Sequence, residues 1–304
     1  MLQRLKVWAF RKYYHFISDR GWKGHPIKPG HNPLQIPGDT GPLHARMYTT
    51  DNSGDKPLII YFHGGGWVIG DLDTHHPFCQ VLSERTGCTV ISVDYRLAPE
   101  HPFPAAHEDS LGATRWIADH IGDFGPSNGH LVIAGDSAGG NLAACTCLDL
   151  DEQTRSMVVG EIVKYPVVDH YSADHRSYVE RAKGQSLTSA VMHWFWDTYL
   201  GDCSANDNRA QRAQPLHSDR LGSLPPTFLI TAEFDPLRDE GIAFAEKLRL
   251  ADVPLQYRHF ETAAHGFACS EGPTDVFEAY MDDLVTWLAQ FSAEPAAQER
   301  QGPP

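Results

Sequence analysis

Ser137 lies in His130-Leu-Val-Ile-Ala-Gly-Asp-Ser-Ala-Gly-Gly-Asn-Leu-Ala-Ala144, where a short apolar run meets Gly135-Asp136-Ser137-Ala138-Gly139 and helix-forming residues follow. The pattern predicts a strand, a tight turn and a helix. A serine on such a turn needs small neighbours, because its backbone is strained and packed closely on the adjoining strand and helix; Gly135, Gly139 and Gly140 supply that room. The hydroxyl is then held out of the sheet. The first free amides of the new helix point at whatever it attacks, which favours negative charge there. This is the nucleophile-elbow pattern. Five-residue matches also arise by chance, and a Gly-rich turn can serve packing alone, so the rest of the chain has to decide.

A serine is a weak nucleophile until a base accepts its proton and a third group orients that base. The pattern therefore asks for an acid and a histidine on later loops. One apolar run, Thr227 to Ala232, leads into Glu233-Phe-Asp235-Pro-Leu-Arg-Asp239; another, Leu255 to Phe260, leads into Glu261-Thr-Ala-Ala-His265-Gly-Phe267. Both candidates fall just past the carboxyl end of a strand, the edge at which open α/β sheets build ligand sites. Asp235 before Pro236 also reads as a helix cap, and Glu233 and Asp239 are rival acids. His265 precedes a glycine in a short loop, whereas His259 falls inside its strand.

His63-Gly64-Gly65-Gly66 follows the apolar run Pro57 to Phe62. Three glycines let backbone amides face a ligand with no Cβ intruding, although the same residues would make a flexible turn. Paired with the elbow, the stretch reads as an oxyanion hole, its amides and that of Ala138 stabilising charge on a carbonyl oxygen.

Together His63-Gly-Gly-Gly-Trp-Val-Ile-Gly70, Asp94-Tyr-Arg-Leu-Ala-Pro-Glu-His-Pro-Phe-Pro-Ala105, Gly135-Asp-Ser-Ala-Gly-Gly140, Asp235-Pro-Leu-Arg-Asp-Glu-Gly241 and His265-Gly-Phe267 resemble the hormone-sensitive lipase-like branch of the α/β-hydrolases. Gly70-Asp-Leu-Asp-Thr-His75 makes the chain particularly similar to bacterial acetyl esterases of that branch. The order Ser137, Asp235, His265 is the order of the α/β-hydrolase triad. The resemblance spans about residues 35 to 291. It implies a mostly parallel eight-stranded sheet with helices on both faces and a helical cap. It implies a carboxylesterase for short- to medium-chain acyl esters, needing no metal or cofactor, in which Ser137 attacks, His265 is base then acid and Asp235 orients His265. By the same resemblance Gly65, Gly66 and Ala138 give the oxyanion amides, residues 1–40 and 167–215 form the cap, and 41–166 with 216–291 form the core. Substrate contacts are expected from His63, Gly64 and Asp136, and from the cap aromatics Trp194, Phe195 and Tyr199, for which simple packing of cap on core is the competing reading. An amidase, lactonase or deacetylase would use the same residues, and an interfacial lipase would give the N-terminal helix a purpose. A binding module on this fold, such as the plant gibberellin receptors that lack the histidine, fits poorly with His265 in place.

The elements that must position these residues follow from periodicity. Strands are predicted at 43–49, 57–62, 88–94, 130–134, 158–165, 227–232 and 255–260, with helices at 74–87, 105–121, 138–150, 190–200, 238–250 and 276–291. This alternation argues for a parallel sheet covered on both faces. Residues 21–42 hold five Gly and five Pro and read as an extended connector; 167–215 break the rhythm and look inserted; the polar, Pro-ended 292–304 read as a disordered tail. Arg96 and Glu100 are expected to tie down the irregular Pro-rich crossover, 97–104, that follows the strand at 88–94.

The 304 residues carry 25 Lys and Arg against 39 Asp and Glu, a net charge of −14, which argues against nucleic acid as a partner. Six Cys without metal-binding spacing point to buried free thiols and a reducing, cytoplasmic setting. The first 28 residues hold seven Lys and Arg against one Asp, leaving 18 basic and 38 acidic residues, a net of −20, on the remainder. Leu2, Leu5, Ala9, Tyr13 and Phe16 share a helical stripe in residues 2–17, with Arg4, Arg11, Lys12 and His15 largely opposite. The favoured reading is a cap helix packing on the domain; the other, for residues 1–20, is a basic amphipathic helix on a membrane surface or acidic partner. A homodimer is left open.

Overall fold

The computed structural model describes residues 2–292 apart from 28–30, 39, 51–52, 185, 206 and 271. Eight strands form one sheet: β1 Asn32–Ile36, β2 Leu43–Tyr48, β3 Leu58–Phe62, β4 Val90–Val93, β5 Leu131–Asp136, β6 Val158–Lys164, β7 Thr227–Phe234 and β8 Leu255–Ala264, in the order β1-β2-β4-β3-β5-β6-β7-β8. β1 and β2 are antiparallel to their neighbours, and the pairs from β4 through β8 are parallel. The central strands β3, β4 and β5 are buried along their whole length because both faces are covered, whereas the outer strand β8 is largely polar and only partly buried. Leu58, Ile60 and Phe62 join one core, while Ile59 and Tyr61 join the other.

Helices α3 (Ala105–Asp119), α4 (Ala138–Asp149) and α8 (Arg238–Leu250) cover the first face; α2 (His76–Thr86) and α9 (Asp275–Ala289) cover the second. The α9 stripe Phe277, Tyr280, Leu284 and Leu288 is fully buried, as a helix with one apolar face requires. A short helix that periodicity did not show, α5 (Glu152–Met157), begins at Asp151, whose side chain accepts from the Thr154 amide at 2.9 Å.

Three expectations are corrected here. The connector at 21–42 contains β1, an edge strand in which Pro33 needs no ladder donor on its solvent side and only Ile36 is buried. β8 runs four residues past Phe260, and a register shift between Ala232 and Phe234 of β7 accommodates it. The apolar stripe of α1 (Leu2–Gly21) does not pack on the body: Leu5, Tyr13 and Phe16 are exposed, and so is Trp8. The packed face is Val7, Phe10, Arg11, Tyr14 and Ser18. Arg11 bonds the Val68 carbonyl at 2.9 Å and Glu100 at 2.8 Å, His15 lies 2.7 Å from Asp71, and Ser18 Oγ donates to the Thr74 carbonyl. The acidic body thus holds Arg11 and His15 of the helix, beside the packed Val7, Phe10 and Tyr14. Arg96, in turn, grips Asp109 through its Nε and Nη2, so its partner lies on α3.

Between β6 and β7 lie α6 (Ser177–Glu180) and α7 (Ser189–Leu200), the latter capped by Thr188. Met192, Phe195, Trp196 and Tyr199 of α7 pack into the α3/α4/α8 core, and Phe10 meets Trp194 at 4.8 Å between ring centres. The expected tail, 292–304, lies outside the described residues except for Ser292, whose hydroxyl accepts from Lys56 at 2.8 Å. Among the described residues no helix is long and apolar enough to cross a membrane.

Candidate active site

β5 ends at Asp136 and α4 begins at Ala138, so Ser137 alone makes the turn, at φ 55° and ψ −119°. That conformation costs a non-glycine residue on the order of 1–3 kcal/mol and persists only where its surroundings fix it. They do so by hydrogen bonds: the Ser137 amide donates to the Lys164 carbonyl at 2.9 Å, and the Ser137 carbonyl accepts from Asn141 at 3.0 Å. Asn141 Nδ2 reaches on to the carbonyls of Val167 and Ala213. The turn also needs its glycines, since a Cβ on Gly139 would stand 2.0 Å from the Phe62 carbonyl oxygen.

Asp235 directly follows β7 and His265 directly follows β8. His265 Nδ1 is 2.7 Å from Asp235 Oδ2, and His265 Nε2 is 3.0 Å from Ser137 Oγ. With the proton on Nδ1, that nitrogen donates to the carboxylate and Nε2 accepts from the hydroxyl. Asp235 does not cap α8, whose N-cap is Leu237 with no side-chain cap bond; its Oδ1 instead accepts from the Leu237 amide at 2.9 Å in the turn before the helix. The fully buried carboxylate is thus held on one oxygen by that turn and meets His265 with the other. The rival acids are engaged elsewhere, Glu233 by Arg181, Arg238 and His259, and Asp239 by Arg238 and the Ser177 amide.

The glycine loop leaves β3 beside this elbow. The Gly65 carbonyl accepts from the amides of Val68 and Ile69, which closes the loop into a turn. The amides of Gly65 and Gly66 have no acceptor among the described residues, and that of Ala138 is an unpaired first-turn donor of α4. The ring of Phe195 lies directly against Gly66. The other expected substrate contacts are engaged behind or beside the loop. Asp136 is buried, and accepts from the Gly64 amide at 3.1 Å and from the Tyr61 hydroxyl. His63 is buried with its ring stacked on Tyr95 at 4.3 Å and its Nδ1 on the Gly64 carbonyl; burial, aided by neighbouring His75, pushes it down to about 4, so it is neutral at pH 7. Tyr199 stacks on Trp67 at 4.2 Å inside the core, and Trp194 packs on Phe10 and Phe195. A cavity of about 600 Å³ is lined by His31, His44, Arg46, Asp71 and Asp94 and by none of Ser137, Asp235 or His265.

Residues 59–269 match the family described as the alpha/beta hydrolase fold. The chain belongs to this family. As an α/β-hydrolase it is 40% identical over 239 residues to the carboxylic ester hydrolase LipN of Mycobacterium tuberculosis, covering 77% of this chain and 63%, under two thirds, of that relative. It is 38% identical to the esterase LipI of the same organism, over 77% of this chain and 73% of LipI. In structure it superposes on a hyperthermophilic esterase from the archaeon Pyrobaculum calidifontis with a TM-score of 0.86 at 35% identity, over 93% of this chain and 91% of that one. The fold and the hormone-sensitive lipase-like branch implied by the motifs are those of these relatives.

The α/β-hydrolase core holds a polar cluster under the elbow that sequence reading missed. His75, Asp136 and Cys269 each bring one donor atom to within 4.8 Å of the others. Lys164 Nζ is 2.8 Å from Cys269 Sγ and 3.4 Å from the centre of the Phe78 ring. Burial pushes the Cys269 thiol up to about 11, and a thiol that stays protonated at neutral pH is a poor metal ligand. Burial also raises the Asp136 carboxyl, but His75, Lys164 and Tyr61 outweigh it and hold the group well below the usual carboxylate range. Asp136 is therefore an ionised anchor for the Gly64 amide. The available signal was a lysine at the end of the strand Val158–Lys164, whose other residues apart from Glu161 are apolar.

Proposed function

We propose that the protein is a serine carboxylesterase acting on short- to medium-chain acyl esters through an acyl-enzyme intermediate. The observation that carries the reading is the unbroken hydrogen-bond chain from Ser137 Oγ through His265 to buried Asp235, on a strained elbow. Ser137 Oγ attacks the ester carbon as its proton passes to His265 Nε2. The resulting imidazolium is stabilised by Asp235, and the carbonyl oxygen, now negative, is received by the amides of Gly65, Gly66 and Ala138. His265 returns the proton to the leaving alkoxide, which departs as the alcohol. A water then repeats the sequence on the acyl-enzyme, its proton passing to His265 and back to Ser137 as the carboxylic acid leaves.

Residues 1–40 and 167–215 act as the cap over a core of 41–166 and 216–291. Phe195, seated against the glycine loop, supports a limit on acyl length. Six free thiols, five of them buried, support a reducing compartment such as the cytoplasm. Ser137→Ala tests the reading: hydrolysis of p-nitrophenyl acetate and butyrate is lost while the circular dichroism spectrum is kept. Retained activity in that variant would refute it.

A further inference from the structure

The helix α1 packs on the body by the face that carries Val7, Phe10, Arg11, Tyr14 and Ser18 and turns a second apolar face outward. Leu5, Trp8, Tyr13 and Phe16 are 59% to 62% exposed, although large side chains of this kind are ordinarily buried. At roughly 100° per residue they fall on one contiguous arc, together with Ala9, Lys12, Asp19 and Arg20. At ~60% exposure of side chains of this size, the patch is on the order of 500 Å², near the largest that an ordinary monomer leaves uncovered.

None of the four is needed to hold the helix. Val7 and Phe10, with Arg11 on Val68 and Glu100, Ser18 on Thr74 and Trp22 on the Cys269 carbonyl, do that from the other side. Charge around the patch has a definite sign. Arg4, Lys6, Lys12 and Arg20 are exposed on the same helix with Asp19 as the sole acid, in a chain whose remainder is strongly acidic. An aromatic stripe edged by basic residues on a helix lying along the surface is what an anionic bilayer binds: rings enter the headgroup region and ammonium and guanidinium groups meet phosphates. The acidic body is at the same time repelled, which fixes the orientation with α1 downward. A second copy suits the patch less, since two such helices face to face would bring like charges together.

We propose that the outer face of α1 docks the protein peripherally on anionic membrane surfaces. Sedimentation of the full chain with vesicles of phosphatidylcholine, with and without about 30% phosphatidylglycerol, tests it. Binding is expected to be at least ~10-fold stronger on the anionic vesicles and to weaken with salt. Trp8→Ser combined with Phe16→Ser abolishes it and leaves hydrolysis of soluble p-nitrophenyl butyrate unchanged. Arg4→Glu combined with Lys12→Glu, which keeps the aromatics, abolishes it too. Equal binding to neutral vesicles, or binding that survives both double substitutions, overturns the proposal. So does a wild-type dimer in light scattering that the aromatic substitutions make monomeric without any vesicle binding, which would assign the face to a second copy.

Discussion

The ring of Phe195 occupies the space that any side chain on Gly66 would need, with a Cβ there coming within 2.2 Å of the ring. The cap helix α7 and the proposed oxyanion loop are therefore fitted to each other at one point. Gly66→Ala must displace either the ring or the loop, and at its φ of 59° the new residue is strained as well. A fall in kcat of about 100-fold or more is expected, the loss typical of one misplaced oxyanion donor. Phe195→Ala acts in the opposite sense, by opening space: the kcat/KM optimum in a chain-length series of p-nitrophenyl esters moves to longer acyl groups. An unshifted optimum would remove Phe195 from the acyl site.

Asp235 and Glu233 stand two residues apart at the end of β7, yet only Asp235 reaches His265. Asp235→Asn puts an amide donor or a carbonyl against Nδ1 and disturbs the tautomer, so kcat falls by about four orders of magnitude. Glu233→Gln weakens the links to Arg181, Arg238 and His259 and leaves kcat within about threefold. Steady-state kinetics of the pair distinguishes the two acids; comparable losses would contradict the assignment.

Glu161 on β6 is wholly buried, with one oxygen near Thr227 Oγ1 at 3.3 Å and the other without a partner among the described residues. Burial raises its carboxyl from 4.5 to about 7. The fold then holds a proton that the unfolded chain has released across that interval, so this group's contribution is fully present below pH 4.5 and lost as pH rises through 7. Glu161→Gln, neutral at every pH, should change the melting temperature little at pH 5 and raise it by a few degrees at pH 8. An equal effect at both values would show that ionisation of Glu161 is not involved.

Lys164 is buried between Phe78, Cys269 and the Asp136 carboxylate. Lys164→Met keeps the volume and removes the cation, leaving an ionised Asp136 with less compensation. A loss of about 3 kcal/mol in urea-unfolding free energy is expected, the cost usual for one partner removed from a buried charge group. Cys269→Ser, which keeps a polar atom beside Lys164, is expected to cost less than half of that.

How much of this was legible in the chain depended on whether a signal was local. Ser137, Asp235 and His265 each follow a strand immediately, so finding the strands was enough to put all three at one edge of the sheet. The rivalry between the capping and orienting readings of Asp235 had no local solution, because it turns on a distant partner: one carboxylate oxygen meets His265, and the other meets the Leu237 amide in the turn before α8 without capping that helix. Asp136 shows the opposite case: it adjoins Ser137 in sequence, but it is the last residue of β5 and its side chain is buried on Tyr61 and the Gly64 amide, while Ser137 makes the turn beyond the strand. β1 escaped notice because an edge strand with Pro33 and a single buried residue carries almost no period-two signal. In α1, periodicity identified an apolar face and could not say which face would pack, since that was decided by Glu100 and Asp71 far along the chain.

The helix α1 touches both loops that flank Ser137: Arg11 holds the Val68 carbonyl just beyond the glycine loop, and Trp22, one residue past the helix end, holds the Cys269 carbonyl just beyond His265. A single clasp thus spans the nucleophile's two partners. Loosening the N-terminus, by trimming, by heat or by pulling against a surface, would release base and anion receptor together. Through these two hydrogen bonds the N-terminal segment bears on both sides of the elbow at once.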